Sequence, residues 1–295
     1  MGFEFDIVIM GHLAKDIIEV DGESHRSIGG AVYYGAIAGS HIGLKIAVIT
    51  KLKKEDFPLL NVFDKHGVEY FAYPSKETSG LKNIYSSKYM EYRDYEPLGF
   101  AGSFEKQEVP EILTKFFVIG PIIAGECNLE LLNYIHSKYP ENLCLDIQGF
   151  IRKIEHKRVF YQALSVEEKE QILSKVKILK IDQYEAEVLT DKKDVNQASK
   201  ELIELGPEEI LITHAKGITV NAFNDIFYFP WKNKAILGRT GRGDTAFISY
   251  LGARLTKNPE DSLKFSAALT SLKLELPGPF SLSTYQVEKL IKEAY

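Results

Sequence analysis

Short runs of consecutive apolar residues alternate along this chain with longer stretches in which apolar positions recur every three or four residues. Residues 5–11 form the first run, with the length and β-branched content of a buried strand. Helical spacing follows from about residue 30 to 42, then a second strand at 45–50 and a helical stretch ending near Gly67. Further apolar runs lie at 116–121, 143–147, 178–181 and 210–213, separated by amphipathic segments such as 128–139, 166–176 and 195–205. Continuous apolar strands alternating with helices predict an α/β domain, a mostly parallel sheet covered on both faces. Sites in such sheets lie beyond the carboxyl ends of the strands.

Two regions break that rhythm. Residues 17–28 are short and mixed, and 80–93 alternate like an exposed strand through Lys82, Ile84, Ser86 and Lys88. Together they read as a small β lid over the sheet edge, with an ordinary surface hairpin as the other reading. The expected organisation is one domain, 1–295, with lid segments at about 13–28 and 78–100. No internal repeat or low-complexity linker interrupts it. Lys and Arg number 36 against 41 Asp and Glu, a net charge of −5 with no basic block, which argues against a nucleic-acid or anionic-membrane surface. Cys127 and Cys144 have no metal-ligand spacing and read as reduced core residues. No run approaches 18 apolar residues and the N-terminus is acidic, so no membrane span is expected and the expected compartment is the cytoplasm.

The chemistry concentrates in Gly238-Arg-Thr-Gly-Arg-Gly-Asp-Thr245, followed by an apolar helical run from residue 246 to 255. Gly241 and Gly243 allow a tight turn that aims several N–H groups at one point, and a helix N-terminus is a ready anion site. Asp244 sits inside it. That combination suits phosphoryl transfer to a hydroxyl, the N–H groups holding charge and the carboxylate accepting a proton. A plain N-capping aspartate is the competing reading of this loop alone. A Walker-type loop is absent, and no Gly-x-Gly-x-x-Gly follows the first strand, which removes the main support for P-loop and nicotinamide readings.

Four other segments line up with this loop: Gly11-His-Leu-Ala-Lys-Asp16, Ile28-Gly-Gly-Ala-Val-Tyr-Tyr-Gly-Ala36, Asp182-Gln-Tyr-Glu185 after an apolar run, and Thr213-His-Ala-Lys-Gly217. In order and spacing they resemble the PfkB/ribokinase family of carbohydrate kinases over essentially the whole chain. The resemblance is greatest to the prokaryotic myo-inositol kinase branch, through Gly238–Thr245, Thr213-His-Ala-Lys-Gly217, Asp146-Ile-Gln-Gly-Phe-Ile-Arg152 and Pro277-Gly-Pro279. It implies a ribokinase-like three-layer α/β/α sandwich, a mostly parallel central sheet with a small β lid. It makes Asp244 the general base and the backbone of Gly241, Arg242 and Gly243 the anion hole. It assigns Asp16, Gly29 and Gly30 to the sugar, and Thr213, Gly217 and Thr240 to the nucleotide. Asp182 and Glu185 would order water around Mg²⁺ beside the phosphates. Glu126 and Gln148, at strand ends, are further candidates for binding substrate hydroxyls, with surface roles as the alternative.

Departures from the family pattern shape the expected activity. Gly238 replaces an Asp that helps build the family's monovalent-cation site, so K⁺ should activate weakly or not at all. Arg242 replaces an Ala and could clamp phosphate or pair with a carboxylate. Ala14 and Tyr34 replace two Asn residues that contact ribose. The expected activity is ATP- and Mg²⁺-dependent phosphorylation of a small polyol or sugar, myo-inositol first. The alternatives are a ribose, fructose or nucleoside kinase of the same family and a non-catalytic nucleotide- or sugar-sensing homologue. His214 reads as a wall of the nucleotide pocket or as a residue with no role in the site, and the lid's exposed alternation suits pairing with a second subunit.

Overall fold

The computed structural model describes residues 4–89, 93–156 and 158–295. In chain order the strands are β1 (Glu4–Met10), β2 (Ala14–Val20), β3 (Glu23–Gly29), β4 (Ile46–Lys53), β5 (Glu69–Ser75), β6 (Gly80–Tyr85) and β7 (Arg93–Gly99). They continue with β8 (Leu113–Ile119), β9 (Leu143–Asp146), β10 (Arg152–Glu155), β11 (Arg158–Tyr161), β12 (Ile178–Asp182), β13 (Glu209–His214), β14 (Gly217–Ala222) and β15 (Asp225–Pro230). The helices are α1 (Ala31–His41), α2 (Asn61–Lys65), α3 (Leu129–Lys138), α4 (Gln148–Ile151), α5 (Val166–Leu173), α6 (Gln183–Thr190), α7 (Val195–Ile203), α8 (Arg242–Arg254), α9 (Pro259–Leu274) and α10 (Thr284–Ala294).

Nine strands form the central sheet in the order β15-β14-β13-β12-β9-β8-β1-β4-β5. Pairing is parallel from β13 to β5, and only the β13–β14–β15 edge runs antiparallel. Both faces are covered, which is why β1 is continuously apolar from Ile7 to Met10. Ile7 and Ile9 point to one side, into a core with Val32 and Ala36 of α1 and Phe247 and Leu251 of α8. Val8 and Met10 point to the other, toward Leu132 and Ile135 of α3 and Leu202 of α7. The chain leaves β1 toward β4 and β5 on one side and later toward β8, β9 and β12 on the other. The crevice at such a reversal, beyond the carboxyl ends of β1 and β8, is where a ligand fits in this architecture.

Residues 14–29 and 80–99 supply a separate four-stranded sheet, β3-β2-β6-β7. β2 and β3 are joined at Asp21 and Gly22, whose φ angles of 50° and 90° make the left-handed turn that a tight hairpin needs. The second segment differs from its sequence reading. β6 is not an exposed strand: Leu81, Asn83 and Tyr85 are buried. Polar groups on its inward face imitate a two-sided exposed pattern. The sequence pattern also gave no sign of the β10–β11 hairpin, which contacts β7 of the lid. No helix among the described residues is long and apolar enough to cross a membrane.

Asn128, Ser165, Asp182, Asp194 and Asn258 cap α3, α5, α6, α7 and α9 with their side chains. Helices α1 and α8 instead begin at Gly30 and Gly241, with no side-chain cap. Part of each first turn is met by backbone, the Tyr33 N–H donating to the Gly30 carbonyl at 3.0 Å and the Arg242 N–H to the Arg239 carbonyl at 3.2 Å, and no side chain covers the rest.

Candidate active site

These two bare N-termini open on the same pocket. Its wall contains Gly30, Ala31 and Tyr34 of α1, Arg239 to Asp244 at the start of α8, and Asp16, Leu81 and Asn83 of the lid. Ile122, Gln148, Arg152, Lys180, Asp182 and Thr213 complete it from the strand ends. The geometry therefore gathers Asp244, Gly241, Arg242, Gly243, Thr240, Asp16, Gly30, Gln148, Asp182 and Thr213, all singled out from sequence. Gly241 sits at φ 78°, and a Cβ there would lie 2.1 Å from Cγ of the buried Tyr34 ring. Only glycine allows both the left-handed turn and that approach.

Asp16 is nearly buried, and its Oδ1 accepts the Leu81 N–H at 2.8 Å, tying β2 to β6. A Cβ on Gly29 would lie 2.0 Å from the Asp16 carboxylate, so this glycine makes room for the aspartate and is not itself in the pocket wall. Tyr85 of the lid meets Thr240 of the loop before α8, hydroxyl to hydroxyl, at 2.9 Å. The lid thus touches the loop that precedes Asp244.

Four cationic side chains face this pocket: Arg152, Lys180, Arg239 and Arg242. Lys180 Nζ donates to Asp146 Oδ2 at 2.8 Å, both side chains being almost fully buried. A Cβ on Gly243 would come within 3.1 Å of the same Nζ, so the ammonium lies against the first turn of α8. Burial opposes its charge, yet Asp146, Glu185, Asp244 and Asp182 together push the Lys180 pKa above its ordinary value. Arg152 donates through Nε to the Tyr161 hydroxyl at 3.1 Å and through Nη2 to the Tyr95 hydroxyl at 3.3 Å and to Gln148 Oε1. Its guanidinium stacks 4.8 Å from the Tyr95 ring centroid. Arg242 is buried, 5.9 Å from the Trp231 ring centroid.

Asp182 and Glu185 form a reciprocal cap on α6. Asp182 Oδ1 accepts the Glu185 N–H, and Glu185 Oε2 accepts the Asp182 N–H, each at 2.8 Å. Asp182 reaches the pocket wall, whereas Glu185 is fully buried and outside it, with Oε1 lacking a hydrogen-bond partner. Burial, then the Asp182 charge, raise the Glu185 pKa. Among the described residues no group of three His, Cys, Asp or Glu side chains is placed to hold a metal directly.

Two other candidates lie away from the pocket. Glu126 is fully buried, and its carboxylate accepts backbone N–H groups from His12 at 3.0 Å, Ile122 at 2.7 Å and Ile123 at 2.9 Å. It ties the end of β1 to the loop after β8 and has no exposed oxygen for a substrate hydroxyl. Burial pushes its pKa up to about 7. Gly217 is a buried β14 residue, where a Cβ would meet the Phe229 carbonyl at 2.4 Å. Close strand pairing explains that glycine. His214 stacks on Tyr228 at 5.5 Å and borders an adjoining, larger cleft with Tyr95, Tyr161, Tyr184, Arg158, Arg239 and Arg242.

The sequence reading passed over Arg152, Lys180, Arg239, Asn83 and Tyr85 as site residues. Lys180 had a usable signal: a lysine amid Ile178-Leu-Lys-Ile181 in a buried strand demands a buried partner. Tyr85 and Asn83 had none, because only the pairing of β6 with β2, some sixty residues earlier, turns them inward.

No protein-family model matches the chain. The cytidine kinase of Thermococcus kodakarensis is 30% identical over 251 residues, covering 81% of this chain and 84% of that kinase. A pyrophosphate-dependent kinase in the ribokinase family, complexed with a pyrophosphate analogue and myo-inositol, superposes with a TM-score of 0.87 at 31% identity. That match covers 96% of this chain and 99% of the other. A sulfate complex of a pyrophosphate-dependent kinase in the same family gives a TM-score of 0.88 at 32% identity, again over 96% and 99% of the two chains. With such similarity along nearly its whole length, and with a parallel α/β/α core whose bare α8 N-terminus opens beneath a small β lid, this chain belongs to the ribokinase family of kinases.

Proposed function

We propose that this kinase phosphorylates a hydroxyl of a small polyol, myo-inositol first, and that its donor is pyrophosphate in place of the ATP expected from sequence. One observation carries the reading. Arg152, Lys180, Arg239 and Arg242 face the same pocket as the α8 N-terminus and Asp244. Pyrophosphate concentrates all its charge on two phosphoryl groups, which suits clustered cations; guanidinium forks match phosphate oxygens especially well. The similarity to pyrophosphate-dependent relatives, one holding myo-inositol, supports both halves.

In this mechanism Asp16 receives acceptor hydroxyls from the lid side, and Tyr34 and Gly30 line the floor. Asp244 takes the proton of the reacting hydroxyl. That oxygen bonds to the nearer phosphorus as the bridging P–O bond breaks, and inorganic phosphate leaves. The first-turn N–H groups of α8, with Lys180 against Gly243, hold the charge of the moving phosphoryl group. Asp182 fits a hydrated Mg²⁺, and Glu185, sealed beneath it, acts by holding Asp182. A bound Mg²⁺ would neutralise donor oxygens, keeping several waters.

A second reading rests on the adjoining cleft. Its walls of Tyr95, Tyr161, Tyr184 and His214 suit a nucleoside, either as the far end of ATP or as an acceptor such as cytidine. Purified protein assayed with pyrophosphate or ATP against myo-inositol, ribose and cytidine separates the two. Pyrophosphate with myo-inositol should give the highest kcat/KM, by at least roughly tenfold. Faster turnover with ATP refutes the donor, and faster turnover of cytidine or ribose refutes the acceptor. Asp244→Asn should lower kcat by roughly 10²–10⁴-fold in any active pair, and near-normal turnover in a folded variant would remove Asp244 as the base.

A further inference from the structure

Lys273 is a fully buried lysine outside the pocket wall that the mechanism above does not use. It lies in the last turn of α9, where the helix dipole favours a cation. Its Nζ donates to the carbonyls of Gly238 and Thr240, the latter at 2.6 Å, and sits 5.3 Å from the Tyr34 ring centroid. The same loop donates back to α9: the N–H groups of Leu237 and Gly238 bond the Leu274 carbonyl at 2.8 and 3.1 Å. Residues 237–240 are thus clamped to the end of α9 through both their donors and their acceptors. The next residues form the bare start of α8.

Residue 238 is where the family resemblance puts a carboxylate beside a monovalent cation. The residues present do not fit such an ion. Gly238 offers no carboxylate, and a Cβ there would lie 1.9 Å from the Leu276 carbonyl oxygen, so no Asp can be accommodated without moving that backbone. The carbonyls that could face an ion already accept from an ammonium.

We infer that Lys273 is a tethered cation that holds the Gly238 and Thr240 carbonyls in place, orienting the anion-binding turn at Gly241–Asp244 without an exchangeable monovalent ion. It is a positioning residue: it acts on the phosphoryl group through the loop. Tyr34 fits the same design, its ring centroid lying 5.3 Å from the ammonium and its ring packing against Gly241.

The test compares wild type and Lys273→Ala in K⁺, NH₄⁺ and choline salts at fixed ionic strength, by thermal unfolding and by turnover. In wild type, Tm and kcat should be the same in all three. A rise in Tm specific to K⁺ or NH₄⁺, or several-fold activation by either, would overturn the inference, and this arm needs no variant and its Tm readout no substrate. Deleting a direct oxyanion donor typically costs roughly 10²–10³-fold, so an indirect role should cost less, about 10–100-fold in kcat with acceptor KM nearly unchanged. In the variant alone, K⁺ or NH₄⁺ should raise Tm and restore part of kcat. A folded Lys273→Ala with kcat within about twofold of wild type would refute the role. So would a loss that neither cation restores. If the variant does not fold, the wild-type series decides.

Discussion

Removing the Lys180 ammonium should strand its partner, and the size of the effect can be worked from the geometry. Lys180 and Asp146 are 5% and 3% exposed and 2.8 Å apart. At an effective dielectric of 20, that separation gives a gross attraction of about 6 kcal/mol. Desolvating two ions consumes several kcal/mol each, so the pair as a whole contributes little net stability. Breaking it is different. In Lys180→Met, Asp146 keeps one backbone donor, the Gln148 N–H at 3.1 Å, and loses its counter-ion. An unpaired buried charge costs about 3–5 kcal/mol. For a chain of this size each kcal/mol lowers Tm by about 2 °C, so a fall of roughly 6–10 °C is expected. Lys180→Met/Asp146→Leu should recover most of the stability, since an apolar replacement strands no charge, while turnover stays at least roughly 10²-fold down if the ammonium serves the phosphoryl group. Urea unfolding with parallel kinetics checks both. A loss below about 1 kcal/mol in the single variant, or no recovery in the double, would refute the buried-pair account.

Three further expectations follow from individual contacts. Gly241→Ala must place a Cβ 2.1 Å from the Tyr34 ring at φ 78°, so it should cost at least about 2 kcal/mol by urea unfolding and sharply reduce kcat; a change under 0.5 kcal/mol (roughly the spread of neutral surface substitutions) would contradict the packing. Glu126→Ala leaves three buried backbone N–H groups without their acceptor and should lose about 3 kcal/mol or more with little change in acceptor KM; a raised KM at unchanged Tm would return Glu126 to the substrate. Burial, with Arg239 and Arg242 adding to it and Asp244 opposing, holds the Lys273 ammonium down to about 7 from 10.5. Between those values the unfolded chain binds the extra proton, so this group makes stability rise with pH there while the charged, loop-gripping form is being lost. Turnover should therefore fall above about pH 7, and the wild-type minus Lys273→Met difference in Tm should rise; flat turnover from pH 6 to 9 (the window set by that shift) would show that the charge is not needed.

Much of this protein was legible from local pattern. Apolar runs flanked by helical periodicity specify strands buried on both faces, because no partly exposed strand needs every residue apolar, and so β1, β4, β9, β12 and β13 were readable. The Gly241–Asp244 turn was equally readable, since two glycines before an apolar helix leave few conformations other than an open N-terminus. Tertiary structure alone decided what each isolated polar residue does. Glu126, at a strand end, resembled a substrate ligand until the fold brought the His12 N–H from the end of β1 and the Ile122 and Ile123 N–H groups from the loop after β8 onto it. Asp182 and Glu185 turned out to satisfy each other first, a short-range bond whose spacing matched the acidic signal. Lys180 and Lys273 meet their partners 34 and 35 residues away, in register with β9 and against the 238–240 loop. The lid's inner face depends on β2 pairing with β6. Backbone propensity and hydrophobic period act over a few residues and are written into the sequence as pattern. The partner of a buried charge is set by which distant segments the core brings together, and no local pattern encodes it.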